Sequence, residues 1–156
     1  MPVDYFEAIA RLLLALVLGV LIGLERQVRG SPAGMRTFGL VSIGACLYML
    51  VGLLSGVTSS GGPGDQGRIA AQVVTGVGFL GGGMLIHTGA SVHGLTTSAG
   101  IWVAAAVGLA AGEGLYYLAI AAALLVLVVL RVLRWAERRF HLSPQQVQDE
   151  LHPPAG

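Results

Sequence analysis

Charge is scarce in this chain. Asp, Glu, Lys and Arg make up only 11% of its 156 residues, and lysine is absent, so all nine basic residues are arginines. A formal net charge of +1 gives no argument for nucleic acid or an acidic substrate as partner. Cysteine occurs once, as Cys46, which excludes an intramolecular disulfide and a cysteine metal cluster but leaves the redox compartment open. There is no Gly-rich phosphate loop with its lysine, no nucleophile elbow and no paired-histidine zinc motif. His87 and His93, separated by a loop, do not amount to a metal site. Neither an enzyme nor a cofactor or metal is expected.

What is abundant is apolar. Hydrophobic residues make up 54% of the chain and the mean hydropathy is +0.77, leaving too little polar chain to cover a globule of this size. Five stretches, Phe6 to Leu24, Phe38 to Val57, Ile69 to Thr88, Leu95 to Gly112 and Leu115 to Leu133, each have about the length that crosses a hydrocarbon core. The fold class that follows is all-α: a polytopic membrane protein built as a compact bundle of about five transmembrane helices. Residues 1–133 form the membrane domain and 134–156 a short basic cytoplasmic tail. Asp4 and Glu7 precede the first basic residue, Arg11, so the first stretch reads as a retained helix, not a cleaved signal.

Arginines flanking the spans set an expected orientation. Arg26, Arg29, Arg36, Arg131, Arg134, Arg138 and Arg139 fall on one side, and Arg11 and Arg68 on the other. The richer side is cytoplasmic by the positive-inside rule, which puts the amino terminus outside and the carboxy terminus in the cytoplasm. Gly30, Pro32 and Gly34 break the first connection, and the run from Ser59 to Gly64 breaks the second. Asp65 stands where an N-cap would open span three.

Glycine, 24 residues in all, indicates how the spans meet. Pairs four apart recur at Gly19/Gly23, Gly52/Gly56, Gly78/Gly82 and Gly108/Gly112, and small residues at that spacing let helix backbones touch in lipid. Span three is the richest, with Gly83 beside the Gly78/Gly82 pair, and is expected to be the central, most enclosed helix. Span four, containing Gly100 and Gly108, is expected to be shortened or bent. Bulky aliphatic residues from Leu124 to Leu130 mark span five as lipid-facing. The glycine faces fit either contacts within one subunit or a homodimer.

Polar groups at membrane depth are costly and usually face protein or water. Arg68, Gln72, Gly76, Phe79, Gly83 and His87 fall near one stripe of span three, with Thr75 beside it, open to a packing helix or to a narrow wet path. Glu25, Arg26, Arg29 and Arg36 can form a network at the end of span one or anchor to headgroups. Thr96, Thr97 and Ser98 are placed to cap span four, and Asp65/Arg68 and Glu7/Arg11 are spaced as helical ion pairs. Arg131, Arg134, Arg138 and Arg139, with Trp135 and Phe140, suggest a basic extension along the inner leaflet.

The runs Gly23-Leu24-Glu25-Arg26-Gln27, Gly34-Met35-Arg36-Thr37, Arg68 to Val74, Gly78 to Gly83 and Gly94-Leu95-Thr96-Thr97 occur in an order that resembles the MgtC/SapB family of bacterial inner-membrane proteins. The resemblance implies a plasma-membrane protein, linked in some relatives to growth at low magnesium and to virulence. In the best-known relative it implies restraint of the F-type ATP synthase, without magnesium transport. Its motif positions are Glu25, Arg26, Gln27, Arg36, Thr37, Asp65, Arg68, Gln72, Thr96 and Thr97. Many relatives carry a soluble carboxy-terminal domain that is not seen here. His87 and His93 replace frequent arginines, and Phe38 replaces a frequent histidine.

Two functional classes are consistent with these residues. One is a regulator that works by helix contact with a membrane complex or with itself. The other is a small transporter or channel for a divalent cation or protons, lined by Arg68, Gln72 and His87. The first is favoured because no acidic residue lies at mid-membrane to attract a divalent ion.

Overall fold

Lipid offers no hydrogen-bond partners, so each apolar run must bond its backbone internally, and each becomes a helix. The computed structural model describes residues 3–54, 65–88 and 91–139. Its helices are α1 (Tyr5–Val28), α2 (Met35–Leu54), α3 (Asp65–Gly83), α4 (Leu95–Glu113) and α5 (Tyr116–Arg139). A short antiparallel hairpin, β1 (Ile86–Thr88) with β2 (Ser91–His93), joins α3 to α4. The 59–64 connection, the polar end of the tail and Phe140 lie outside the described residues.

Four helices, α1, α2, α4 and α5, are long and apolar enough to cross a membrane. Asp65, Arg68 and Gln72, together with its glycines, dilute the apolar character of α3. Its 19 residues still extend about 28 Å. Gly52 faces the Ile69 side chain near its start, and Ser98 donates to the Gly81 carbonyl at 2.6 Å near its end. The chain is an all-α polytopic bundle, with the hairpin as its small non-helical addition.

Two turns are built on glycine. Gly30, at φ +71°, follows α1: its N–H reaches the Gln27 carbonyl at 3.0 Å and the Ser31 N–H reaches that of Arg26 at 3.1 Å. Gly114, at φ +91°, repeats the pattern after α4 with the carbonyls of Ala111 and Ala110. These 6→1 and 5→2 closures satisfy the last helix carbonyls and require a left-handed residue, which glycine adopts without strain. The second folds α4 directly onto α5 through the two residues between Glu113 and Tyr116.

Three of the four glycine pairs sort into two kinds, and Gly56 of the fourth lies outside the described residues. A Cβ on Gly19 would lie 2.7 Å from the Phe38 carbonyl oxygen and from the Ser42 Cβ, and one on Gly23 would lie 2.7 Å from the Met35 Cα. A Cβ on Gly108 would collide with the Ser42 backbone, and one on Gly112 would sit 2.7 Å from the Cys46 carbonyl oxygen. So α1 and α4 both close on α2, where Ser42 also donates to the Ala15 carbonyl at 2.8 Å. Ala15, Ile22, Phe38, Cys46, Leu50, Ile101, Ala104 and Val107 fill the resulting core.

The enclosed helix is α4, which packs on all four others, and this corrects the placing of span three at the centre. A Cβ at Gly78, Gly82 or Gly83 would meet nothing within 4 Å, so these three glycines make no close approach inside the subunit. The glycine-rich end of α3 also stops at Gly83, where a helix to Thr88 was expected, because four glycines within six residues weaken it and Ile86–Thr88 pairs in the hairpin instead. α4 runs unbroken through Gly100 and Gly108, which admit the Phe38 ring and the Ser42 backbone and need no bend to do so. α5 exposes Leu124, Leu125, Val128, Val129, Val132 and Leu133, as a lipid-facing helix must, and it continues through Arg139 with no break at residue 134.

Paired substitutions check this division. Gly108→Val should destabilise the bundle by about 1–3 kcal/mol through overpacking. Gly78→Ala should be neutral or stabilising by up to about 1 kcal/mol, since it replaces an open helical glycine. Thermal unfolding in detergent reads both, and equal losses would contradict the assignment of the glycine faces.

Candidate functional site

The bundle holds three polar regions. At the end formed by the start of α1 and the α4–α5 turn, Arg11 is 8% exposed. Its Nη1 donates to the Gly112 carbonyl at 2.7 Å, its Nε to the Tyr116 hydroxyl at 3.1 Å, and its Nη2 to Glu7 Oε1. Tyr116 in turn donates to the same Glu7 oxygen at 2.8 Å. The expected Glu7/Arg11 pair is present, but Arg11 is buried where a surface pair was expected, and it ties three helices together. Tyr116 and the Gly112 carbonyl could not be found from spacing, since they lie over 100 positions away in sequence.

At the opposite end, the Gly30 turn brings Ser31 back under α4. Its hydroxyl lies 2.8 Å from Thr97 Oγ1, which also accepts a hydrogen bond from Arg26 Nη2 at 3.3 Å. Thr97 is 3% exposed, and Arg26 and Glu25 are each 5% exposed. Glu25 Oε1 lies 3.2 Å from Arg29 Nε and its Oε2 lies 3.8 Å from Arg26 Nη1. These are ion pairs without hydrogen-bond geometry, for neither Glu25 oxygen, nor Arg26 Nε or Nη1, has a hydrogen-bond partner among the described residues. Gln27 Oε1 accepts from the Met35 N–H at 3.2 Å and so caps α2.

This arrangement corrects two readings of the sequence. The hydroxyls that begin α4 do not cap it: its N-cap is Gly94 with no side-chain bond, while Thr97 turns inward to Arg26 and Ser98 turns to Gly81. Thr96 is exposed. Arg36 is exposed and forms no ion pair among the described residues, so the charged network consists of Glu25, Arg26 and Arg29, and Thr37 is only partly buried.

The third region is a cleft of about 560 Å³ between α2 and α3. Arg68, Gln72 and Gly76 line it from α3, facing Val41, Gly44 and Tyr48 of α2. The first half of the expected stripe therefore does share a face. The second half does not: Phe79 points away at 84% exposure, and His87 lies in β1, beyond the helix. Thr75 is satisfied by the Ala71 carbonyl of its own helix at 2.9 Å. The side chains of Asp65 and His87 lie outside the described residues, and with them the proposed Asp65/Arg68 pair. No group of three or more metal-ligating side chains occurs among the described residues.

A bundle with buried arginines at both ends and a polar-lined cleft between two helices defines a multi-pass membrane protein with charge built into its helix junctions. The MgtC family profile matches residues 12–139, and the chain belongs to the MgtC family. It is 42% identical over 145 residues to Protein MgtC of Salmonella typhimurium (strain LT2), a match covering 93% of this chain and 60% of that protein. It is 44% identical over 145 residues to the Escherichia coli K12 protein named "Putative magnesium transporter YhiD", covering 88% of this chain and 67% of that one. It is also 44% identical over 131 residues to the uncharacterized protein slr0014 of Synechocystis, covering 84% and 54% respectively. The chain thus spans about 60% of the length of the MgtC proteins it matches. No solved structure matches it.

Thr97 and Thr96 offer a direct test of the inner network. Thr97→Val should cost about 1–3 kcal/mol, because it leaves a buried arginine donor without its acceptor, whereas exposed Thr96→Val should cost under about 0.5 kcal/mol. Detergent melting curves compare them, and indistinguishable variants would remove Thr97 from the network.

Proposed function

We propose that this chain is a non-enzymatic regulator that works by helix-to-helix contact with a larger membrane assembly, using the Gly78/Gly82 face of α3. The observation that supports this most directly is the contrast among glycine pairs: Gly19/Gly23 and Gly108/Gly112 are filled within the subunit, while Gly78/Gly82 meets nothing within 4 Å. Phe79 and Val74 flank that face and are exposed. In lipid, a bare small-residue face gains close packing only from another helix. Family resemblance points to the F-type ATP synthase as the class of partner, with adaptation to low magnesium as the setting. A second copy of this chain is the alternative occupant.

The membrane in this reading is the bacterial inner membrane. The Arg26/Arg29/Arg131/Arg134 end faces the cytoplasm and the Arg11 end faces outward, by the arginine count. The motif positions Glu25, Arg26, Gln27 and Thr97 then hold the cytoplasmic junction in shape. Arg36, Thr37, Asp65, Arg68, Gln72 and Thr96 belong to surfaces and the cleft.

Cysteine crosslinking tests this. In a Cys46→Ala background, Gly78→Cys or Gly82→Cys in native membranes should capture one defined neighbour, identified by mass. Gly44→Cys, in the α2/α3 cleft, serves as control. A mixture of random products from the α3 positions, no richer than the control, would dispose of the contact reading.

The α2/α3 cleft supports a second reading, a small transporter. Its name-bearing relative and the cleft's Arg68 and Gln72 favour it, but a guanidinium lining the path opposes passage of a divalent cation. Purified protein in liposomes should move magnesium or protons above empty vesicles if this reading is right, and Gln72→Leu should lower that flux several-fold. Absence of flux would eliminate it.

A further inference from the structure

A second cavity, of about 250 Å³, lies between α1 and α5 at the arginine-rich end. Leu21, Leu24 and Leu127 form its apolar wall, and Glu25, Arg29 and Arg131 form its polar floor and mouth. Glu25 is 95% buried by its 5% exposure and is ion-paired to Arg29 at 3.2 Å and Arg26 at 3.8 Å, yet neither carboxylate oxygen accepts a hydrogen bond among the described residues. A buried carboxylate left in that state is expensive, and it calls for an N–H or O–H donor. Arg29 and Arg131 line the same cavity and supply fixed positive charge, which suits a phosphate.

A metal ion does not fit. Hard cations take several oxygen ligands, and this cavity presents one carboxylate beside two guanidinium groups. A simple anion fits the arginines but does nothing for Glu25, and a simple amine fits Glu25 but not the arginines. One ligand class answers all three demands: a lipid whose head group carries a phosphate and a primary ammonium, with its chains against leucine. α5, which contributes Leu127 and Arg131 to the cavity, exposes Leu124, Leu125 and Val128, an aliphatic surface along which a lipid can approach.

We propose that the α1/α5 cavity is a binding site for an aminophospholipid, with Glu25 accepting hydrogen bonds from the head-group ammonium and Arg29 and Arg131 holding its phosphate. The bound lipid completes the polar junction that Glu25 and Arg26 leave open and fastens α5, the most lipid-exposed helix, to α1. This proposal does not depend on the contact surface of α3.

The test is lipid retention by the full-length chain, delipidated in detergent and measured by native mass spectrometry. Three lipids of matched acyl chains are compared: phosphatidylethanolamine, phosphatidylcholine and phosphatidylglycerol. Phosphatidylethanolamine should be retained about tenfold more than phosphatidylcholine, whose methylated nitrogen has no N–H to give, and should exceed phosphatidylglycerol. Glu25→Gln should erase the preference for ethanolamine over choline, whereas Arg131→Gln should weaken retention of all three several-fold. The wild-type comparison needs no variant to fold. Equal retention of the ethanolamine and choline lipids overturns the proposal, as does stronger retention of phosphatidylglycerol. Displacement of the lipid by soluble phosphoethanolamine would assign the site to a free head group and overturn the lipid source.

Discussion

Backbone contact across α2 is the constraint on which the rest depends. In lipid there is no solvent to drive apolar surfaces together, so helices hold where their main chains come close enough for dispersion and polar contact to accumulate. Residues 38–46 of α2 carry this load from two sides. Gly19 of α1 rests on the Phe38 carbonyl and Ser42, and Gly108 and Gly112 of α4 rest on the Ser42 and Cys46 backbone. Phe38, fully buried, fills the space that Gly100 leaves above its ring. A side chain at any of these glycines would wedge α2 away from a neighbour and open the core on both sides.

The trio of α1, α2 and α4 sets the roles of the remaining helices. α3 is held by α2 and α4 near its ends, through Gly52 against Ile69 and Ser98 on Gly81, and stands off α2 between them. That stand-off is the cleft lined by Arg68 and Gln72. α5 is attached at the Gly114 turn and at Arg11, where Tyr116 is gripped, and the rest of its surface is largely aliphatic and exposed. Rigid centre and looser flanks follow from where the glycines fall on each helix.

Much of this was legible in the sequence because a membrane simplifies the code. Length and hydropathy located the five helices to within a few residues at most ends, and the four-residue glycine spacing in α1 and α4 marked real contacts. Spacing could not say which glycine faces are filled. Gly78/Gly82 and Gly108/Gly112 look alike in one dimension, and only the placement of α2 beside α4 distinguishes them. The hairpin was hidden because Ile86 to Thr88 is as apolar as the helix before it. Thr96 and Thr97 were read together as caps, although a rotation of 100° along the helix exposes one and delivers the other to Arg26. Long-range partners such as Tyr116 for Arg11 carry no local signal at all.

The two charged junctions close the bundle at opposite ends, yet they are finished differently. At Arg11, all three guanidinium nitrogens donate, and Glu7 accepts from both Arg11 and Tyr116, so the cost of burying the charge is met inside the protein. At Glu25 and Arg26, two carboxylate oxygens and two guanidinium nitrogens make no hydrogen bond among the described residues, although both residues are equally buried. A purely structural clamp has no reason to remain incomplete when a few hydroxyls, like those of Ser31 and Thr97, can complete it. The asymmetry separates a junction whose charges are fully hydrogen-bonded from one in which Glu25 is held by ion pairs to Arg26 and Arg29. The second junction is the one that carries the Glu25-Arg26-Gln27 run, beside the cavity that Leu127 and Arg131 of α5 help to line.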